Sequence, residues 1–124
     1  MFKVMWLMKR KEGTSLSDAI QHYENTHSVL AKSIFDQHDY KPLKYVRKYF
    51  HPINNILPFA DTLSGSEFDL AMEMWFESRE HFEKMLEISS PEEIWKVILE
   101  DENRFLEPHK RAIYILEEHE TKFD

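Results

Sequence analysis

Hydrophobic positions fall into two rhythms along this chain, one of period two and one of helical period. Over residues 2–9, Phe2, Val4, Trp6 and Met8 share one face while Met5 and Leu7 share the other, which predicts a strand apolar on both sides. Residues 9–15 contain Gly13 and read as a turn. Leu16, Ile20, Tyr23, His27, Leu30 and Ile34 then recur at helical spacing, so a helix starts at a Ser15 or Ser17 cap and runs to about Phe35. Residues 44–51 alternate again, with Tyr45, Arg47, Tyr49 and His51 on one face, bracketed by Pro42 and Pro52. Residues 53–67 carry Pro58 and Gly65 and read as a long loop, although Ile56, Leu57 and Phe59 are apolar for such a place.

A third strand is predicted over residues 68–76, with Leu70, Met72, Met74 and Phe76 opposite Asp69, Ala71, Glu73 and Trp75. Ser78 opens a short helix with Phe82, Met85 and Leu86 inward. Ser90-Pro91-Glu92-Glu93 reads as a capping box opening a third helix that carries Ile94, Val97, Ile98, Asp101 and Phe105 and stops before Pro108. Residues 111–117 form the last strand. The resulting order, β-α-β-β-α-α-β over a single domain of residues 1–124, is that of a ferredoxin-like α+β fold: a four-stranded antiparallel sheet with its helices on one face. The other face still carries large apolar side chains. Burying one such side chain is worth roughly 1.5–3 kcal/mol, so the expected unit is a homodimer closed sheet to sheet.

Composition narrows the function. The chain of 124 residues has 16 basic and 23 acidic side chains, a net charge of −7 that repels a polyphosphate, so nucleic acid is not an expected partner. No cysteine is present, which removes thiolate chemistry. No apolar run reaches 18 residues and no signal-peptide pattern occurs, so a cytoplasmic protein away from the membrane is expected. The two glycines, Gly13 and Gly65, cannot build a phosphate-binding loop, and no nucleotide or other cofactor is expected.

Several segments carry a resemblance: Lys9-Arg10-Lys11 before the first turn, Tyr23-Glu24-Asn25-Thr26-His27, Tyr45-Val46-Arg47-Lys48, Phe68-Asp69 leading to Glu73-Met74-Trp75-Phe76, and Asp101-Glu102-Asn103-Arg104-Phe105-Leu106. Together, in this order, they resemble the EthD-domain family of the dimeric α+β-barrel superfamily. One departure is Val29, where the family often has proline two positions after the helix histidine. The resemblance implies a greasy pocket in each subunit with one or two polar groups for proton movement. Relatives in that superfamily include polyketide cyclases, decarboxylases of hydroxylated aromatic acids, lactone isomerases and cofactor-free monooxygenases. The family's namesake resembles an accessory of an ether-degrading oxidative system.

Among candidate residues, His27 stands on the apolar stripe of the first helix, where it is either a general acid–base group or a core histidine bonded to a carbonyl or to Tyr23. Asp101 shares a face with Ile94, Ile98 and Phe105 and needs a partner such as His27 or Arg47. Tyr45, Arg47, Tyr49 and His51 form a row that grips a phenolate or carboxylate in one reading, with Arg47 as the anion clamp; in the other, these groups and Glu73 face the dimer interface and pair across it. Trp6, Trp75 and the methionines offer a polarizable lining, Tyr23 flanks the histidine, and Phe59 with Ile56 and Leu57 offers a lid. The seven histidines show no i, i+4 pair, so no metal is expected, and no serine sits in a nucleophile turn. The expected function is a small cofactor-independent enzyme on an aromatic, polyketide-like or lactone substrate. His27 moves a proton, Tyr49 and Arg47 hold negative charge, Asp101 orients or balances, and decarboxylation, cyclisation or isomerisation follows. The alternatives are a non-catalytic dimeric accessory protein of an oxidative system and a cofactor-free monooxygenase.

Overall fold

The computed structural model describes residues 1–53, 56–59 and 67–124. Strand β1 (Phe2–Arg10) leads through a turn at Gly13, where φ is +83°, into α1 (Leu16–His22). A β-carbon on Gly13 would meet nothing within 4 Å, so it is the left-handed backbone and not crowding that favours glycine there. Ser15 caps α1, its side chain accepting from the Asp18 N–H. One π-helical turn (Tyr23–His27) joins α1 to α2 (Ser28–Phe35), so the predicted single helix is continuous but locally widened. Then follow β2 (Lys44–Tyr49), β3 (Leu70–Phe76), α3 (Arg79–Ile88), α4 (Glu92–Glu102) and β4 (Leu106–Ile115).

The sheet order is β2-β3-β1-β4 with every neighbour antiparallel, the ferredoxin-like topology expected from the element order. Register fixes the faces. Trp6 pairs with Met72, Tyr45 with Met74 and Tyr49 with Leu70, so these residues all point to the helical layer. Two buried clusters fill that layer, one around Met8, Tyr23, Leu70 and Phe105 and the other around Val4, Met74, Phe76 and Met85. The opposite face presents Met5, Leu7, Ala71, Glu73, Trp75 and Tyr114, and among the described residues no helix covers it.

Three local expectations are corrected. Ser90 does not cap α4: Pro91 occupies the cap position, its carbonyl accepts from Ile94 and Trp95, and the Ser90 hydroxyl donates backwards to Glu87 O at 2.9 Å. Phe105 lies beyond α4, in the turn where its N–H donates to Glu102 O. Finally, Pro108 sits inside β4, which begins at Leu106; the pairing with β1 slips between Met8 and Arg10, and an edge strand with such an irregularity tolerates the missing N–H donor. Part of the long loop, including Gly65, lies outside the described residues.

Candidate functional site

The site is organised by the π-turn. In an α-helix, residues five apart point about 140° away from each other, so His22 and His27 would face different neighbours. Here Ser28 N–H reaches back to Tyr23 O, and the widened turn aligns the two imidazoles on one carboxylate. His27 Nδ1–H donates to Asp101 Oδ2 at 2.7 Å, and His22 Nε2 lies 3.0 Å from Asp101 Oδ1, an oxygen that also accepts from Arg104 Nη1 at 3.0 Å. Asp101 and Glu102 close α4, and the chain reverses at once into β4, which explains how two carboxylates come to be buried side by side. Glu102 Oε1 stands 3.6 Å from His27 Nε2 on the opposite side of the ring from Asp101. Tyr23 and Phe105 press on the His27 ring, with centroids 5.3 and 5.5 Å away.

Electrostatics follow from this arrangement. Burial pushes the His27 imidazole down, but the Glu102 and Asp101 carboxylates outweigh it and hold His27 above the ordinary histidine range. Burial likewise pushes Asp101 up, while hydrogen bonds from His27, His22 and Arg104 hold it below the usual carboxylate range. Tyr45 is pushed up to about 12, chiefly by burial. Its hydroxyl meets that of Tyr23 at 2.5 Å, and Tyr23 also touches Met72 Sδ.

His27 and Glu102 share the wall of a cavity of about 180 Å³ between the sheet and the helices, lined otherwise mainly by apolar side chains such as Trp6, Leu30, Ile34, Met72 and Met85. Of the residues expected at a ligand site, the fold brings His27 and Trp6 to this wall, with Asp101 directly behind the histidine and Tyr23 beneath it. Four others are elsewhere. Trp75 lies on the opposite face of the sheet, since odd and even positions of β3 alternate; there Lys3 and Lys44 sit over its ring and its indole N–H donates to Glu73. Arg47 is on the helical side but is held by Glu24 in a bidentate pair, Nε to Oε2 at 3.0 Å and Nη2 to Oε1 at 2.7 Å. Tyr49 also donates to Glu24 Oε2. The presumed clamp therefore already holds a carboxylate of its own chain and does not line the cavity, and neither residue faces a sheet-to-sheet interface. Phe59 is 84% exposed, and Ile56 and Leu57 are exposed too, so these three do not close the cavity.

Two residues were missed by sequence reasoning. His22 fails the i, i+4 test that identifies α-helical partners, and only a π-turn makes a spacing of five productive. Glu102 follows Asp101 directly, so helical phase assigns it to another face; the helix end makes both inward. Among the described residues, no three His, Asp or Glu side chains are grouped so as to hold a metal ion.

No curated protein matches the sequence. The crystal structure of At3g17210 from Arabidopsis thaliana is similar in fold, with a TM-score of 0.58 at 13% sequence identity over 99% of this chain and 100% of that one. At that identity the likeness concerns the fold alone, which is that of a dimeric α+β barrel protein. The EthD domain profile matches residues 11–109, a span that takes in His22, His27, Asp101 and Glu102. The chain belongs to the EthD-domain family.

Proposed function

We propose that the cavity beside His27 binds a small aromatic or lactone-sized molecule, and that His27 transfers a proton to or from it by side-chain chemistry. One observation carries this reading. Asp101 takes Nδ1 and fixes the ring, which leaves Nε2 on the side where His27 and Glu102 border an apolar cavity. A core histidine satisfied by its neighbours needs no such space beside its second nitrogen. Size narrows the substrate: a dry cavity of roughly 150 Å³ holds benzene, so about 180 Å³ accommodates one substituted ring. Decarboxylation, isomerisation and ring closure share this requirement for one placed acid–base group in an enclosure that excludes water. The working unit in this reading is a homodimer, supported by the uncovered sheet face with Met5, Leu7 and Trp75 and by the family's dimeric α+β-barrel kind.

Proton exchange from ring carbon tests the reading with a neutral one-ring probe. The protein should accelerate deuterium uptake into the ring of resorcinol in D2O, followed by NMR, and His27→Gln should lower that acceleration by roughly 10²–10⁴-fold. Saturable binding of resorcinol with no acceleration by the parent protein would overturn the catalytic reading in favour of a binding or accessory protein.

A further inference from the structure

The cavity wall holds a second ionisable group whose bonding capacity is unspent. Glu102 is only 8% exposed. Arg111 Nη1 approaches its Oε2 to 2.6 Å and balances its charge, yet off the line of a hydrogen bond: Oε2, with Nε and Nη2 of Arg111, is buried without a hydrogen-bond partner among the described residues. On the other side, the 3.6 Å between Oε1 and His27 Nε2 is too long for a direct hydrogen bond but admits an oxygen bonded to both. The other hydroxyls of the wall are committed, Tyr45 to Tyr23 and Ser89 to Leu86 O.

We propose that Glu102 determines specificity, selecting a neutral ligand with a phenolic or enolic hydroxyl that donates to Glu102 and accepts from His27 Nε2–H. An ionised carboxylate only accepts, so its natural complement is a donor. The two carboxylates favour the doubly protonated form of His27, the form with an N–H at Nε2 for the other side of the ligand oxygen. A carboxylate ligand would set a second anion against Glu102 in a poorly solvated space, while the guanidinium of Arg47 stays with Glu24 outside the cavity. A ligand without a hydroxyl would offer no donor to Oε1, the Glu102 oxygen that faces His27.

The inference rests on the cavity's being a ligand site, but not on turnover. Calorimetric titration of the full chain at pH 7 with phenol, toluene and benzoate tests it. Phenol should bind roughly 10- to 100-fold tighter than either of the others, the worth of one hydrogen bond to a charged group. Glu102→Gln should lower the phenol-to-benzoate ratio about tenfold or more, because the charge-assisted bond and the like-charge repulsion go together. Equal binding of the three, no binding of phenol, or an unchanged ratio in a folded Glu102→Gln protein would overturn it. If that variant does not fold, the comparison in the parent protein decides alone. Selective phenol binding without resorcinol exchange would sink the catalytic reading and leave Glu102's role standing; exchange without selectivity would do the reverse.

Discussion

At the residue scale, the coupling of His27 to Asp101 has a definite pH signature. His27 is raised in the folded state, so its share of stability is complete below about pH 6.5, its unfolded value, and is lost as pH rises through the folded value. Asp101 is lowered, so its share is present above about pH 3.9 and is lost as pH falls through its folded value. The pair therefore contributes most between those limits. Thermal denaturation against pH should show a decline as pH rises above about 6.5 that Asp101→Asn flattens. That variant should also cost about 1–3 kcal/mol, since it leaves buried donors poorly matched. An unchanged pH profile would mean that the two groups are not linked as described. Of these residues, His27 was legible from the sequence as a polar intruder on an apolar stripe, and Asp101 as a buried carboxylate in need of a partner. Glu102 and His22 were not, because adjacency in sequence and a spacing of five carry no signal until the helix end and the π-turn are known.

At the scale of elements, the caps separate what a motif states from what the chain does. Ser15 and Ser78 each accept a hydrogen bond from the N–H three residues on, at 3.0 and 3.1 Å. Ser90, within the better-looking motif, does not, because Pro91 takes the cap position and its carbonyl serves the first turn. Ser15→Ala and Ser78→Ala should each lower stability by about 1 kcal/mol in urea denaturation, and Ser90→Ala by well under half of that. A loss at Ser90 equal to that at Ser78 would contradict the geometry. Alternation placed all four strands, but β4 starts five residues earlier than the expected Arg111 and ends at Ile115, two before the expected Glu117; its start was missed because Pro108 signals a break unless the strand lies at an edge.

For the whole molecule, the sheet's second face is the open question that the sequence poses and a single chain does not close. Leu7 pairs with Ala71 and Ala112 on that face, next to Met5 along β1. Sedimentation equilibrium should give the mass of two chains, and Leu7→Glu should shift it towards one by setting a charge in the apolar contact. His27→Gln, whose change lies on the helical side of the sheet, should leave the mass unaltered. A monomer at all concentrations in the parent protein would remove the dimer from the proposal. No helix of the described residues is long and apolar enough to cross a membrane, in line with the charge and hydropathy pattern.

The sequence by itself determined the order of elements, the topology of the sheet, its two apolar faces and the family. These depend on periodicity and on ordered segments, which are properties of the chain read along its length. Only the tertiary structure decided which polar groups meet. It paired Arg47 with Glu24, turned Trp75 away from the cavity, and brought His22 and His27 to one carboxylate with Glu102 beyond them. The physical reason is that a buried charge takes whichever partner the packing of separate elements offers, and no local pattern encodes that choice.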